Sequence, residues 1–221
     1  MPGSIPGGST QIPEVIRGFF ILIVNLKFIL FLKHKMQIQE LKINPTTVIY
    51  FMDLTSLDCI GRAREKKGLQ QLLKHHFNKD VELIYDNNGK PFINYENLHI
   101  SVSHSHHLLA LIISHQNVAI DVELISEKVE RVKTKFLNDQ ELIETEIADN
   151  KILTTYWCAK ETLFKYLGLK GKSLKNDFIV SKFNFSTEEG RISGFIDVNK
   201  LKKEITLRYF MKDNFVVVHS V

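Results

Sequence analysis

The sequence predicts an α+β fold, in which helices and strands are grouped along the chain instead of alternating. A helix-periodic segment over residues 57–77 is followed by several short β-rich segments, and helix-periodic segments over 127–168 are followed by several more. The 221 residues are 44% hydrophobic and include 15 Phe, so the chain has enough apolar side chains for a substantial core.

After Met36, the first group of elements is predicted to be a strand, a helix and an antiparallel meander. TTVIYFMDL is rich in β-branched and aromatic residues and predicts a strand. The helix that follows is expected to be capped by Ser56 and to end at Phe77. The turn NNGKP separates the strand VELIYD from the strands LHISVSHS, HLLALIIS and NVAIDVELI.

The second group is predicted to be three charged helices and four strands. Asn138 is expected to cap the second helix, with Glu141 completing a capping box, and the third helix contains YWCAKETLFKYLG. The strands are DFIVSKFNFS, GRISGFIDV, ITLRYFMKD and NFVVVHSV. Helices followed by a meander repeat the order of the first group without a sequence repeat, and we divide the chain into halves at 36–118 and 119–221.

Residues 1–35 are expected to be a leader outside the fold. MPGSIPGGSTQIP is rich in Pro, Gly and Ser, while the apolar run after it is broken by Asn25 and Lys27 and is shorter than the roughly 20 residues of a spanning helix. A small-residue cleavage site is absent from the sequence after this run. Met36 is predicted to be the true start, after an upstream extension or an added leader, and a membrane-attached leader is the alternative.

The charge of the body argues against nucleic acid as a partner. Residues 1–35 contain four of the 29 basic residues and one of the 25 acidic residues. The rest of the chain therefore has 25 basic and 24 acidic residues and is nearly neutral. Cys59 and Cys158 lie far apart without metal-ligand spacing. We expect them to be reduced thiols in a cytoplasmic protein.

Asp121 and Glu123 form the first candidate cluster. They lie two residues apart on a predicted strand, so both side chains project from one face. Neighbouring carboxylates repel each other unless they are solvated or bound to a cation. The pair alone fits either a solvated acidic face or a cation site.

The helix YWCAKETLFKYLG carries three charged residues beside its apolar side. Glu161 and Lys165 are spaced i, i+4 at one edge, where they could form an ordinary ion pair. Lys160 projects between apolar positions, so its ammonium must extend to solvent or meet an anion. We expect it to face an anionic ligand or a buried carboxylate.

Two further segments could bind ligands. In SVSHSHH, alternation places His104 and His106 on one face and the serines on the other, but a zinc site would need more ligands than the sequence offers. His106 and His107 are therefore interpreted as a surface cluster. Lys90, in the turn NGKPF, could meet a phosphate or be solvated.

The order of these motifs, G-K-P, S-H-S, D-x-E and W-x-x-K-E-x-x-x-K, resembles that of the Sfp-type 4′-phosphopantetheinyl transferases from about Met36 onward. The resemblance implies a holo-[acyl-carrier-protein] synthase type of enzyme, which uses Mg²⁺ to transfer 4′-phosphopantetheine from coenzyme A to a serine of an apo acyl or peptidyl carrier protein. It also implies two related α+β halves with the active site in the cleft between them. Because both halves lie in one chain, we expect a monomer.

The same resemblance implies roles for individual residues. Asp121, Glu123 and Glu161 would hold Mg²⁺ together with the pyrophosphate of coenzyme A. Lys165 would neutralise phosphate charge or the leaving group. Either Glu161 or a water that it orients would accept the serine proton.

The 3′-phosphate of coenzyme A would meet cationic and polar groups of the first half. Lys90, Ser103 and His104 match the family positions that serve this purpose. A further cation of the first helix is expected to contribute, and the candidates are Arg62, Arg64 and Lys66. The family often has glycine where this sequence has Ala119.

Two other functions were weighed. One is another metal-dependent phosphoryl-transfer enzyme, such as a nuclease, against which the nearly neutral body argues. The other is a module that binds coenzyme A or a carrier protein without catalysis. The presence of Asp121, Glu123, Glu161 and Lys165 argues against such a loss of catalysis.

Overall fold

The computed structural model describes residues 38–95, 97–198 and 201–221. The predicted leader, residues 1–35, lies outside the described residues. Residues Gln37–Val221 form one compact unit, and the division of this unit at residues 118 and 119 stays a prediction. Across the described part of the chain, every helix is too short or too polar to cross a membrane.

The described residues form four α-helices and eleven strands. The helices are α1 (Gly61–Phe77), α2 (Lys128–Phe136), α3 (Asp139–Glu144) and α4 (Asn150–Leu167). The strands before α2 are β1 (Ile38–Asn44), β2 (Thr47–Asp53), β3 (Leu83–Tyr85), β4 (Pro91–Ile93), β5 (His99–Ser105), β6 (Leu108–Ser114) and β7 (Ile120–Leu124). The strands after α4 are β8 (Phe178–Val180), β9 (Glu189–Val198), β10 (Leu201–Lys212) and β11 (Phe215–Ser220).

The strands form two antiparallel sheets and one hairpin, which fits the predicted α+β class. The first sheet has the order β1-β2-β6-β5, the second has the order β7-β11-β10-β9-β8, and β3 pairs with β4. The prediction that β7 extends the meander of β5 and β6 is wrong, because β7 forms its strand pairing with β11. The chain therefore passes from the first sheet to the second between Ser114 and Ile120.

The two sheets pack face to face, and each carries a helix on its outer face. Alternate residues of β2 and β6 point toward Leu69, Leu72 and Leu73 of α1. Their other residues pack against the inner face of the second sheet, in a core of Ile49, Phe51, Leu108, Ala110, Ile112, Val118, Ile120, Val122, Phe215 and Val217. α4 covers the outer face of the second sheet. This period-two sorting of side chains follows from the strand pleat.

Several element boundaries differ from the predictions. The Ser56 cap is wrong: Leu54–Ser56 is a single 3₁₀ turn in which the Thr55 N–H donates to the Asp53 carboxylate, and α1 begins at Gly61 after Ile60. β1 and β4 are additional strands, and β8 is only three residues long. The capping box of Asn138 and Glu141 at α3 is confirmed.

Local interactions fix both ends of α4, the helix that contains W-x-x-K-E-x-x-x-K. At its start, the Asp149 carboxylate accepts hydrogen bonds from the N–H groups of Lys151 and Ile152. At its end, Gly168 adopts a left-handed conformation with φ of 70°, which glycine reaches without steric cost. The helix also lies close to β9, since a Cβ at Gly194 would be 2.8 Å from Leu163 Cδ1.

Candidate functional site

Three serines join the edge strand of each sheet at the site. We call Ser101, Ser103 and Ser105 of β5 the serine row. Their hydroxyl oxygens accept hydrogen bonds from alternate N–H groups of β7, those of Ile120, Val122 and Leu124 respectively, each at 3.2 Å. The two strands therefore lie side by side, connected through side chains instead of a backbone ladder.

The carboxylates of β7 project toward this junction. The Ser103 hydroxyl donates to Asp121 Oδ1 at 2.7 Å, and the Ser105 hydroxyl donates to Glu123 Oε2 at 3.1 Å. The Trp157 indole N–H of α4 donates to Glu123 Oε1 at 3.0 Å. Asp121 and Glu123 thus share a face, as their spacing predicts, and that face is directed to β5 and α4.

Lys165 pairs with Asp121. Its Nζ lies 2.7 Å from Asp121 Oδ1 and 3.3 Å from the Ile120 carbonyl oxygen. Among the described residues, this is the ion pair that Lys165 makes, so the i, i+4 pairing with Glu161 allowed by the sequence is replaced by a tertiary contact. The lysine therefore brings a positive charge directly beside the β7 carboxylates.

Asp121 keeps one carboxylate oxygen without a partner. Its side chain is only 4% exposed, and Oδ2 is buried with no hydrogen-bond partner among the described residues. Buried polar atoms are nearly always hydrogen-bonded, and an exception calls for an explanation such as a site for an ion. Oδ2 is thus a candidate ligand atom.

Glu123 and Glu161, next to Asp121, lose their protons less readily than ordinary glutamates. Burial, together with the negative charge of Asp121, raises the pKa of Glu161 to about 7, although Lys165 opposes this shift. Burial and Asp121 also raise the pKa of Glu123, while hydrogen bonds from Trp157 and Ser105 act in the opposite direction. A bound cation would relieve the repulsion among these three carboxylates.

The donor chemistry at this position fits Mg²⁺. Three carboxylates supply the hard oxygen ligands that the ion prefers, and one of their oxygens is buried without a partner. Within residues 38–95, 97–198 and 201–221, however, no three histidine, cysteine, aspartate or glutamate side chains are grouped so that they could hold a metal ion. Instead, the Lys165 ammonium is the cation that contacts Asp121.

Lys160 points away from these carboxylates, toward a second buried anion. Its Nζ lies 2.7 Å from Glu141 Oε2 and donates to the carbonyl oxygens of Leu174 and Phe178 at 3.0 and 2.7 Å. Burial lowers the pKa of Lys160, and the Glu141 carboxylate opposes that shift. The expectation of a buried carboxylate partner is confirmed.

Lys90 lies at the C-terminal end of α4. Its Nζ donates to Asn117 Oδ1 at 3.1 Å, and Asn117 Nδ2 donates to the Tyr166 carbonyl oxygen at 3.3 Å. Burial lowers the pKa of Lys90. The lysine lines a cavity of about 250 Å³ together with Lys165 and Lys170, so three cationic side chains face one space.

His104 lines a larger cavity beside α1. Its Nε2 lies 3.1 Å from Glu65 Oε1, and its side chain is 45% exposed. Arg62 and Lys66 line the same cavity, of about 770 Å³, whereas Arg64 directs its Nε–H to the Cys59 carbonyl oxygen. Pro91 and Val102 line both this cavity and the one at Lys90, so the two cavities adjoin each other.

A third cavity, of about 570 Å³, is lined by one of the three carboxylates, Glu123. Glu123 and Trp157 border it, and its other lining residues are Leu124, Ser126, Lys128, Val129, Val132, Lys135, Thr154, Ser173 and Leu174. A polar site edge thus continues into a surface of mixed aliphatic and polar side chains.

Three contributors to this site are not among the predicted site residues. Ser105 and Trp157 hold Glu123, and Asn117 holds Lys90. The three serines are spaced two residues apart along the chain, as are Asp121 and Glu123. This matching spacing is a signal that could have revealed Ser105. Trp157 and Asn117 reach the site only through the tertiary packing of α4.

Comparison with known families adds an independent finding. Residues 117–217 match the family model described as ACPS, the 4′-phosphopantetheinyl transferase superfamily. No curated protein matches the chain. The resemblance inferred from the motifs is confirmed over this range, which contains the three carboxylates and Lys165, and the match supports a transferase. Lys90, Ser103 and His104 lie outside the matched range.

Proposed function

We propose that the protein transfers 4′-phosphopantetheine from coenzyme A to a serine of an apo acyl or peptidyl carrier protein, as a Mg²⁺-dependent enzyme of the holo-[acyl-carrier-protein] synthase type. One observation supports this most strongly. Asp121, Glu123, Glu161 and Lys165 all lie inside the matched domain, on β7 and α4. Lys165 forms an ion pair with Asp121, and the charges of Asp121, Glu123 and Lys165 all shift the pKa of Glu161.

The proposed reaction is a displacement at phosphorus. The carrier serine oxygen forms a bond to the β-phosphorus of coenzyme A, and the bond from that phosphorus to the bridging oxygen breaks. Adenosine 3′,5′-bisphosphate leaves with the bonding electrons. The serine proton passes to Glu161 or to a water that Glu161 orients. Without the metal the pKa of Glu161 is about 7, and a bound cation would lower it, so that Glu161 is ionised and able to accept the proton near neutral pH.

Asp121, Glu123 and Glu161 would hold the metal ion. When bound, Mg²⁺ supplies charge neutralisation at the pyrophosphate oxygens and helps to orient the reacting groups. The observation that supports this assignment is the buried, unpartnered Asp121 Oδ2 beside two glutamates with raised pKa.

Lys165 would stabilise the negative charge that develops during transfer. Its ammonium is half-buried next to Asp121 and lines the cavity that also contains Lys90. A cation in a partly water-excluded site interacts with phosphate oxygens more strongly than one in bulk water. We assign Lys165 to the pyrophosphate or the leaving bisphosphate.

The adjoining cavities provide cations for the rest of coenzyme A. Lys90, His104, Arg62 and Lys66 line them, and we propose that these four bind the 3′-phosphate and its surroundings. Arg64 is left out because its Nε–H is directed to a backbone carbonyl. A contact between Ser103 and coenzyme A stays a prediction, since the hydroxyl proton of Ser103 is donated to Asp121.

The cavity beside Glu123 and Trp157 suits the pantetheine arm. That arm has aliphatic and amide groups, and the cavity presents Leu124, Val129 and Val132 together with several polar side chains. Glu123, one of the proposed metal ligands, lines this cavity. A pantetheine arm placed there could therefore stay joined to a pyrophosphate group held at the metal.

We further propose a cytoplasmic monomer. The described Cys59 and Cys158 are free thiols, as expected in a reducing compartment. The ion pair of Lys165 with Asp121 and that of His104 with Glu65 both lie within one chain, which is compatible with a monomer.

The test is a transfer assay with a panel of apo carrier proteins. Purified protein, coenzyme A and Mg²⁺ are incubated with each carrier, and intact-protein mass spectrometry measures the carrier. We expect the mass of one phosphopantetheine to be added to at least one carrier, and the addition should be lost in chelator. Coenzyme A binding without transfer to any carrier would support a non-catalytic module instead.

A further inference from the structure

We propose that Ser103 and Ser105 are positioning residues, which orient the Asp121 and Glu123 carboxylates toward the divalent cation. Ser101 makes the same kind of bond to β7 but orients no carboxylate. The choice of cation in this inference rests on the proposed function. The role assigned to the two buried hydroxyls is to help build the metal site.

The first support is the number of bonds that one hydroxyl can make. A serine hydroxyl has one proton and two acceptor lone pairs. Ser103 accepts from the Val122 N–H and donates its proton to Asp121, the residue just before Val122. One side chain therefore fixes both the backbone of β7 and the carboxylate that the backbone carries.

Ser105 repeats this arrangement two residues further on. It accepts from the Leu124 N–H and donates to Glu123. Both strands have a side-chain period of two, so the geometry at one serine is reproduced at the next. The repeat brings two carboxylates to the same edge with their orientations set from β5.

Ser101 is the internal contrast. It accepts from the Ile120 N–H at the same 3.2 Å as the other two serines, but the residue before Ile120 is Ala119. Within the described residues, the Ser101 hydroxyl bonds no carboxylate. Its bond to β7 shows that a serine suffices to join the sheets without holding an acid.

The hydrogen bond from Ser103 to Asp121 also determines which carboxylate oxygen of Asp121 is left for a metal ion. Ser103 and Lys165 both contact Oδ1, at 2.7 Å each, while Oδ2 is buried without a partner among the described residues. With Oδ1 held, the orientation of the carboxylate is fixed, and Oδ2 is the oxygen that remains for a ligand. Groups that orient metal ligands in this way typically change metal affinity about 10- to 100-fold when they are removed.

The experiment measures Mn²⁺ binding instead of activity. Free Mn²⁺ is followed by electron paramagnetic resonance during titration of the full chain, with and without coenzyme A. The variants are Ser103→Ala, Ser105→Ala, Ser101→Ala as the matched control, and Ser105→Thr, which retains a hydroxyl. Thermal unfolding of each variant is recorded in parallel, because each alanine removes one acceptor from β7.

We expect the dissociation constant for Mn²⁺ to rise about 10-fold or more in Ser103→Ala and Ser105→Ala, and to stay within about twofold in Ser101→Ala and Ser105→Thr. All three alanine variants should lose thermal stability, and Ser101→Ala should lose least because it breaks only the bond to β7. Equal weakening of Mn²⁺ binding in all three, or none in the first two, would overturn the assignment. If Ser103→Ala does not fold, the comparison of Ser105→Ala with Ser105→Thr decides.

Failure of this inference can be separated from failure of the proposed function. Wild-type protein that binds Mn²⁺ with the expected serine dependence, but modifies no carrier, would contradict the transferase proposal and support the positioning role. If wild-type protein modifies a carrier while Ser103→Ala and Ser105→Ala bind Mn²⁺ normally, the transferase proposal is supported and the positioning role is contradicted.

Discussion

The ammonium of Lys160 lies 2.7 Å from the Glu141 carboxylate, and the two side chains are 0% and 2% exposed. Glu141 also accepts hydrogen bonds from the N–H groups of Asn138 and Val180. One ion pair thus connects α4, the cap of α3 and the end of β8. It explains why a lysine interrupts the buried side of α4, one residue before Glu161.

Replacement of Lys160 by methionine should strongly destabilise the fold. Methionine keeps most of the volume but leaves the buried Glu141 charge without its cation, which typically costs about 3–5 kcal/mol. Urea denaturation measures the free energy of unfolding. Lys151→Met, an exposed position on the same helix, is the matched control and should change it by less than about 0.5 kcal/mol. Similar values for the two variants would show that the pair contributes little.

Replacement of Asp121 by alanine should abolish transfer while the fold survives. One of three proposed ligands is lost together with the partner of Lys165, so we expect the rate to fall more than about 100-fold. Mass spectrometry of the carrier gives the rate, and circular dichroism checks the fold. Asp139→Asn, whose side chain is 92% exposed, serves as the control. Unchanged activity in Asp121→Ala would remove this residue from the site.

Glu161 should make metal-free protein less stable as the pH rises. Its pKa is about 7 in the folded protein and 4.5 in its ordinary state, so the folded state binds the proton more tightly. The resulting stabilisation is full below about pH 4.5 and is lost as the pH passes about 7. The unfolding temperature of Glu161→Gln minus that of wild type should therefore increase from about pH 5 to about pH 8. A difference that does not vary with pH would contradict the raised pKa.

Replacement of His104 by alanine should impair the use of coenzyme A more than the use of its 3′-dephospho analogue. A hydrogen bond to a charged group contributes about 1.5–3 kcal/mol, which corresponds to about a 10- to 100-fold loss in kcat/KM for coenzyme A. Steady-state kinetics with both substrates provide the comparison. His106→Ala, an exposed neighbour on the same hairpin, is the control. Equal losses for the two substrates would place His104 away from the 3′-phosphate.

Much of the fold was predictable because its signals are local. Apolar periodicity predicts α4 and the strands of the second sheet, and the capping box of Asn138 and Glu141 is readable within four residues. The start of α1 was mispredicted because Ser56 resembles a cap in sequence, although Asp53 instead caps a separate 3₁₀ turn. Local patterns do not show which of two nearby polar residues meets the free N–H groups.

The features that were missed depend on distant parts of the chain. β7 follows β6 in sequence but pairs with β11, nearly a hundred residues later. Lys165 is spaced to pair with Glu161 but contacts Asp121 on another element. The candidate site residues were predicted from motif order, whereas the hydrogen bonds of the serine row required the relative placement of two sheets.

The most direct test of the central claim locates the modification on the carrier. A carrier that gains mass in the transfer assay is digested, and tandem mass spectrometry identifies the modified residue while adenosine 3′,5′-bisphosphate is quantified in the same reaction. We predict one phosphopantetheine on a single serine and an equal amount of the bisphosphate, with neither formed by Asp121→Ala. Release of the bisphosphate without modified carrier, or the absence of both products with every apo carrier, would contradict the account.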